Sequence, residues 1–180
     1  MIFGILVIVL IVILSSIRQI DEYERGIKFT MGKFSGIMNP GWNLVFPIFQ
    51  TSRKVDIRTK AVDVPEQDAI TKDNVSISIN ALLYFQIVDP KSAVYEIQDL
   101  PDAIEKLTQT TLRNLVGQLD LDETLVSRDK INIELRSILD EATNKWGVKV
   151  NRVELQDIIP PTDIQTAMEK QMKAERDRRA

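Results

Sequence analysis

The amino-acid sequence predicts an α+β protein with an N-terminal transmembrane helix, a domain in which helices pack with an antiparallel sheet, and the start of a long C-terminal coiled-coil helix. The first observation behind this prediction is an uncharged apolar run from Met1 to Ile17, which is typical of a membrane span. The second is the alternation of apolar residues between Val75 and Val88, which indicates a long, half-buried strand. The third is a thin apolar stripe in the densely charged stretch from Thr162 onward, a pattern typical of helices that pack together.

The apolar N-terminal run is close to the shortest length that can cross a bilayer. From Met1 to Leu14 every side chain except that of Gly4 is hydrophobic, and no charge appears before Arg18. A run of about 17 residues lies at the lower end of the range for a transmembrane helix, so residues 1–17 are predicted to form the anchor. A cleaved signal peptide is the competing interpretation, but the run lacks both a basic start and a small-residue cleavage site.

Positive charges follow the span, and none precedes it. Because cytoplasmic loops carry an excess of Lys and Arg, we expect a single-pass protein of the cell membrane, inner or plasma. Its N-terminus would lie outside and its main domain in the cytoplasm. The charges that carry this prediction are Arg18, Arg25, Lys28 and Lys33.

An unusually apolar loop is predicted at residues 39–49. It carries Trp42, Phe46 and Phe49 together with two prolines, and a segment of this composition cannot continue a helix. One interpretation is a loop packed onto the core of its own domain. The other is shallow insertion of the three aromatic side chains into the membrane surface beside the anchor.

Alternating segments on both sides of a turn predict an antiparallel sheet. Glycines at 26 and 32 punctuate two short strands between residues 19 and 34. Farther on, the turn at residues 71–74 leads into the long strand, which ends at Asp89 and Pro90. The alternating apolar positions before this turn are Val55, Ile57, Val62 and Val64.

Two helices are predicted after the long strand. The first begins near Pro101, with Asp99 or Leu100 as its cap, and ends at Gly117. Its apolar face is predicted to contain Ile104, Leu107, Thr111 and Leu115.

The second helix is predicted to begin with acidic residues that suit its N-terminal dipole and to end near Gly147. Its apolar face is predicted to contain Ile131, Leu135, Ile138 and Ala142. A further strand follows, and its apolar positions change face between Val150 and Val153, which indicates a bulge or bend. The pair Pro160 and Pro161 closes this region.

The charged C-terminal stretch is predicted to be the beginning of a longer helix. No Gly, Asn or Pro marks a C-cap before residue 180, so we expect the helix to continue. Neighbouring copies of the chain would offer the same thin stripe in register, and interleaved charges can set that register. The residues expected to pack between subunits are Met168, Met172, Glu175 and Arg178.

The composition excludes several classes of function. The chain of 180 residues contains no His and no Cys, which removes thiolate nucleophiles, Cys/His zinc sites and Ser-His-Asp relays. Its 23 Lys and Arg against 26 Asp and Glu give a net charge of −3, so a nucleic-acid partner is not expected. The acids Asp120, Asp122 and Glu123 stand where helix capping and the helix dipole favour them, so no metal site is expected there. We expect no cofactor and no catalytic residue.

The order of these segments resembles the SPFH or band 7 superfamily of stomatins, prohibitins, flotillins and HflK-HflC, and within it the slipin/paraslipin branch. The resemblance covers nearly the whole chain. The segments that carry it are YERGIKFTMGKF at 23–34, NPGWNLVFP at 39–47, VPEQDAITKDNVSISINALLYFQIVDP at 64–90, LTQTTLRNLVGQLDLDETLVSR at 107–128, WGVKV at 146–150 and AMEKQMKAERDRRA at 167–180.

The resemblance implies an anchor at 1–17, a membrane-proximal SPFH subdomain at 18–56, a main SPFH subdomain at 57–161, and the start of the coiled-coil helix at 162–180. It implies a non-enzymatic homo-oligomeric scaffold, a ring or cage on the lipid bilayer that organises membrane microdomains. Modulation of a membrane protease and pairing with an NfeD-type membrane protein are implied as well. The resemblance also favours membrane contact by Trp42, Phe46 and Phe49.

Two other functions stay open from the sequence. The first is a regulatory subunit that binds one membrane protease without a large ring or cage. The second is a membrane peptidase, which the absence of His and Cys reduces to Ser-Lys or carboxylate chemistry.

Overall fold

The structure is a computed structural model that describes residue 11 and residues 13–179. The predicted transmembrane anchor at 1–17 therefore falls largely outside the described residues. Within the described part of the chain, no helix combines the length and the apolar composition needed to cross a bilayer.

The described chain is α+β, with antiparallel sheets and helices. The strands are β1 (Ile17–Ile20), β2 (Glu24–Thr30), β3 (Lys33–Met38), β4 (Gly41–Leu44), β5 (Gln50–Asp56), β6 (Lys60–Ile70), β7 (Ser76–Ile87) and β8 (Val148–Ile159). The helices are α1 (Pro90–Tyr95), α2 (Leu100–Val116), α3 (Leu121–Val126), α4 (Arg128–Thr143) and α5 (Thr162–Arg179), with a 3-10 turn at Asn144–Trp146.

The chain divides into two compact units. The first contains the described residues up to Lys60, Gln86–Gln98 and Asn144–Lys149, and the second contains Ala61–Phe85, Asp99–Thr143 and the described residues from Val150 onward. The subdomain boundaries at residues 17, 56 and 161 stay predictions.

The first unit contains two small sheets. One has the strand order β3-β2-β5, and the other is the antiparallel pair β1-β4. A two-residue turn at Met31 and Gly32 joins β2 to β3, and both residues have positive φ, as a type I′ hairpin turn requires. Helix α1 places its Tyr95 ring 6.1 Å from the ring centroid of Phe29 and 6.3 Å from that of Phe34.

The second unit is built on the sheet β6-β7-β8, with β7 in the middle. The alternation that predicts the long strand is confirmed, because the side chains at its alternate positions 77, 79, 81, 83 and 85 are buried. Helices α2 and α4 pack together, and their buried side chains include Ile104, Leu112, Leu135 and Leu139.

Helix α2 starts as predicted. The Asp99 side chain accepts a hydrogen bond from the backbone N–H of Asp102 at 3.2 Å, so Asp99 is the N-cap. Its buried face differs in part from the prediction, since Thr108 and Leu112 are buried, whereas Leu107 and Thr111 are half-buried.

The single helix predicted after Asp120 is wrong, because the chain forms two helices that meet at Ser127. The backbone N–H of Ser127 donates to the carbonyl of Glu123, which ends α3, and its own carbonyl accepts from Ile131 to open α4. The predicted apolar face of α4 is also shifted. Leu139 is buried and Ile138 is 41% exposed.

The loop predicted at residues 39–49 is wrong at its centre, where Gly41–Leu44 forms strand β4. The strand was hidden from sequence reasoning because its partner is β1, more than 20 positions away in sequence, and because it is only four residues long.

Candidate functional site

Strand pairing holds the apolar segment of residues 39–49 beside the chain that leaves the predicted anchor. In the β1-β4 register, Ile17 lies opposite Leu44 and Gln19 lies opposite Trp42. One residue farther on, the backbone N–H of Val45 donates to the carbonyl of Ser16 at 2.8 Å. The middle of the apolar segment therefore lies beside the end of the predicted span.

A closed turn follows β4 and directs its side chains outward. The carbonyl of Phe46 accepts backbone hydrogen bonds from Phe49 at 3.2 Å and from Gln50 at 2.8 Å. The Gln50 side-chain oxygen in turn accepts from the backbone N–H of Phe46 at 3.1 Å. Because the polar groups of the turn bond to one another, its apolar side chains are free to face away from the backbone.

The three aromatic side chains predicted to touch the membrane are exposed. Trp42 is 79% exposed, Phe46 is 55% exposed and Phe49 is 59% exposed. Sequence reasoning missed Leu44 and Ile48, which are exposed in the same segment and alternate with the same period of two as Trp42 and Phe46. We call these five residues, Trp42, Leu44, Phe46, Ile48 and Phe49, the apolar rim.

Only one side chain of this segment packs into the domain as the alternative interpretation expects. Val45 is buried and forms a small core with Ile20 and Met38. This core fixes the segment to the first unit, and the apolar rim is left without cover from the described residues.

Basic side chains stand near the apolar rim. Lys54 on β5 forms an ion pair with Glu24 at 2.9 Å. The hydrogen bond to Glu24 raises the pKa of the Lys54 ammonium above its ordinary value. Arg18 on β1 is exposed and makes no ion pair within the part of the chain that the structure describes. The rim is therefore an apolar patch with positive charge beside it.

The residues predicted to pack between subunits lie along α5. Met168 is half-buried, Met172 and Arg178 are exposed, and the side chain of Glu175 is outside the described part. Their packing role stays a prediction.

The acids at the start of α3 do not form a site with one another. Glu123 pairs with Lys130 at 3.8 Å, and Asp120 is the N-cap residue of α3. Among the described residues, no group of three or more acidic side chains is placed to hold a metal ion.

The chain is similar to known proteins over almost its full length. The model of the SPFH domain / Band 7 family matches residues 18–180. An uncharacterized protein of Archaeoglobus fulgidus is 45% identical over 98% of this chain and 71% of its own length. A stomatin homolog of Pyrococcus abyssi is 47% identical over 98% of this chain and 66% of its own length, and an uncharacterized protein of Mycobacterium tuberculosis is 45% identical over 95% of this chain and 45% of its own length. The chain thus spans between about half and about seven tenths of these relatives.

Proposed function

Because the chain belongs to the SPFH domain / Band 7 family, we propose that it is a non-enzymatic membrane scaffold whose copies assemble on the lipid bilayer. The observation that carries this proposal is the apolar rim, which is held by β1-β4 pairing at the end of the predicted anchor.

The rim fits a membrane surface on physical grounds. Burying a large apolar side chain gains about 1.5–3 kcal/mol, and the described residues of the chain offer the rim no such cover. Trp and Phe side chains near a span favour the boundary between headgroups and acyl chains. A predicted anchor and an adjacent rim would attach the first unit to the membrane at two points.

Assembly would use helix α5. Its apolar stripe is too thin to be buried inside one small domain, and the same stripe on neighbouring copies can pack in register. In this proposal Met168 and Met172 form the contact between subunits, and Glu175 and Arg178 set the register of a ring or cage.

The finer points of the proposal come from the family resemblance. They are assignment to the paraslipin branch, organisation of membrane microdomains, modulation of a membrane protease and pairing with an NfeD-type membrane protein. The proposed location is the inner or plasma membrane, with the N-terminus outside and the main domain in the cytoplasm.

Membrane contact can be tested with single-tryptophan variants of the full chain in vesicles whose acyl chains carry bromine near the headgroups. Trp146→Phe leaves only Trp42, and the matched control Trp42→Phe leaves only Trp146, which lies outside the rim on the 3-10 turn. We expect strong quenching of Trp42 fluorescence and weak quenching of Trp146. Equal quenching of both, or none of Trp42, would contradict membrane contact by the rim.

Assembly can be tested through the mass of the complex extracted in mild detergent. Met172→Glu places a charge on the stripe, whereas the control Thr166→Glu adds the same charge to an exposed position off the stripe. We expect large closed assemblies for the native chain and the control, and small species for Met172→Glu. A small complex of fixed stoichiometry with one protease in all three cases would favour the regulatory subunit instead.

A further inference from the structure

A cleft of about 420 Å³ with charged side chains in its wall opens beside the apolar rim. Its walls carry Arg18 from β1 and Ser52 and Lys54 from β5, and its apolar part is formed by Val45 and Pro47. Ser52 and Lys54 are two positions apart on one strand, so their side chains lie on the same face of the sheet.

The cleft is positively charged. Arg18 makes no ion pair within the described residues, and the described lining contains no carboxylate. Lys28 lies opposite Ser52 in the β2-β5 register, which places a further positive side chain on this face. Among the described residues, Glu24 pairs with Lys54 at 2.9 Å and Asp21 also attracts the Lys54 charge, but neither acid lines the cleft, so the lining keeps a positive balance.

The position of the cleft relates it to the membrane. Val45 and Pro47 line it, and Phe46 and Ile48, their neighbours in the chain, belong to the apolar rim. If the rim enters the acyl-chain boundary, the cleft lies at the depth of the lipid headgroups. A guanidinium, an ammonium and a hydroxyl then stand where phosphate groups are found.

We propose that this cleft binds the phosphate of an anionic phospholipid, whose acyl chains pass along the rim into the bilayer. This inference rests on the proposed membrane contact, which places the rim in the lipid. Basic residues near a membrane span are attracted to anionic lipids in general, and this attraction requires neither a cleft nor a hydroxyl group. A specific headgroup site uses both. Inorganic phosphate shares the same chemistry but lacks the acyl chains that the rim would hold.

The test is a binding titration of the detergent-extracted full chain, followed by native mass spectrometry. The probes are phosphatidylglycerol, phosphatidylcholine with the same acyl chains, and inorganic phosphate. We expect about tenfold tighter binding of phosphatidylglycerol than of phosphatidylcholine, because both lipids carry the same phosphate but the positive cleft repels the choline cation of phosphatidylcholine. Inorganic phosphate should compete only weakly.

Two variants address the cleft, and a third is the matched control. Arg18→Gln and Lys54→Gln should each weaken phosphatidylglycerol binding by about tenfold and weaken phosphatidylcholine binding less, because the variant cleft repels the choline cation less. Arg53→Gln removes the same charge from the adjacent position of β5, which faces the opposite side and lines a different cleft with Phe29 and Tyr95. It should bind both lipids like the native chain. Arg18→Gln breaks no described ion pair, so it remains informative if Lys54→Gln fails to fold.

The outcomes separate this inference from the function it rests on. The headgroup site would be overturned if Arg53→Gln and Lys54→Gln lost phosphatidylglycerol binding equally, or if the native chain did not prefer phosphatidylglycerol. Full competition by inorganic phosphate would overturn the lipid as the occupant of the cleft. If Trp42 is still quenched by brominated lipid in those cases, membrane contact stands and only the cleft assignment fails. An unquenched Trp42 would instead overturn the proposed membrane contact itself.

Discussion

Two apolar stretches of this chain end in opposite environments. In β7 the apolar side chains alternate and turn into the sheet's buried face, where Phe85 is 1% exposed. In residues 39–49 the apolar side chains at 42, 44, 46 and 48 also alternate, but they face outward, and Phe46 is 55% exposed. Both stretches are rich in large hydrophobic residues, so hydrophobicity alone does not separate them.

The difference shows that a period of two does not decide whether an apolar face is buried. The period places apolar side chains on one face of the chain, but it does not show that a core of the same domain meets that face. The alternating side chains of residues 42–48 meet no such core among the described residues, so they need a surface from outside the domain. The predictions below compare side chains of these two kinds.

The largest effect is expected from a matched pair of Phe to Ala substitutions. Phe85→Ala should lower the free energy of unfolding by about 3–5 kcal/mol, because it empties a fully buried position. Phe46→Ala should change it by less than about 1 kcal/mol, because the ring is largely exposed. Denaturant unfolding of the full chain in detergent, followed by circular dichroism, measures both.

One outcome for these two Phe to Ala variants would contradict the comparison of β7 with the apolar rim. If Phe46→Ala were as destabilising as Phe85→Ala, the rim would be part of a core and the loop would pack onto its own domain. Equal destabilisation of the two variants with an equal loss of Trp42 quenching in vesicles would point the same way, since the rim would then act through folding.

The second prediction repeats the comparison within one helix. Leu139→Ala should cost about 2–4 kcal/mol, because Leu139 is fully buried on a helix that packs with α2. Its neighbour Ile138 is 41% exposed, so Ile138→Ala should cost less than about 1 kcal/mol. The same unfolding experiment measures both variants. A larger loss of stability in Ile138→Ala would favour the buried face of α4 that was predicted from the sequence.

The fold was predictable from the sequence where a pattern is local and regular. The strand β7 and the helix cap at Asp99 were both predicted from the sequence, because a period or a cap depends on residues that are close in sequence. The face of α4 was read wrongly because Ile138 and Leu139 are both apolar, and only the tertiary contact with α2 decides which one is buried. Strand β4 was missed because its partner β1 is distant in sequence.

The candidate site was predictable in its residue types but not in its extent. The aromatic side chains of the apolar segment point to a membrane surface from composition alone. The inclusion of Leu44 and Ile48, and the cleft beside the rim, depend on the β1-β4 pairing and on the turn closed at Gln50. Pairings of this kind arise from tertiary structure, which no local pattern encodes.

A third prediction concerns the one buried side chain of the apolar segment. Val45→Ala should lower the free energy of unfolding by about 1–2 kcal/mol, because two methyl groups leave the core with Ile20 and Met38. It should also weaken the quenching of Trp42 in brominated vesicles, since that core holds the segment in place. Leu44→Ala, at an exposed neighbouring position, serves as the control and should leave the unfolding free energy nearly unchanged. A Val45 variant with native stability and native quenching would show that the rim is held without this core.

The smallest effect is expected from an exposed ion pair in the same unit as the rim. The Arg58 guanidinium donates hydrogen bonds to the Asp56 carboxylate and lowers the pKa of that group from 3.8 to about 2. A lowered pKa means that the folded state prefers the ionised carboxylate, so the stabilisation is fully present above about pH 4 and is lost as the pH falls toward 2. Asp56→Asn should therefore unfold slightly earlier than the native chain between pH 5 and 7, and the gap should close below about pH 4.

Denaturant midpoints measured from pH 7 down to pH 2 test this prediction. In an Arg58→Gln background the largest cause of the lowered pKa is gone, although the backbone N–H of residue 58 still donates to Asp56, so Asp56→Asn should make a smaller pH-dependent difference there. A gap that persisted at pH 2, or one that was undiminished in that background, would assign the effect to packing around Asp56 instead of to its charge. Because both side chains lie at the surface and water screens their attraction, this pair contributes far less than the buried ring of Phe85, just as the exposed ring of Phe46 does.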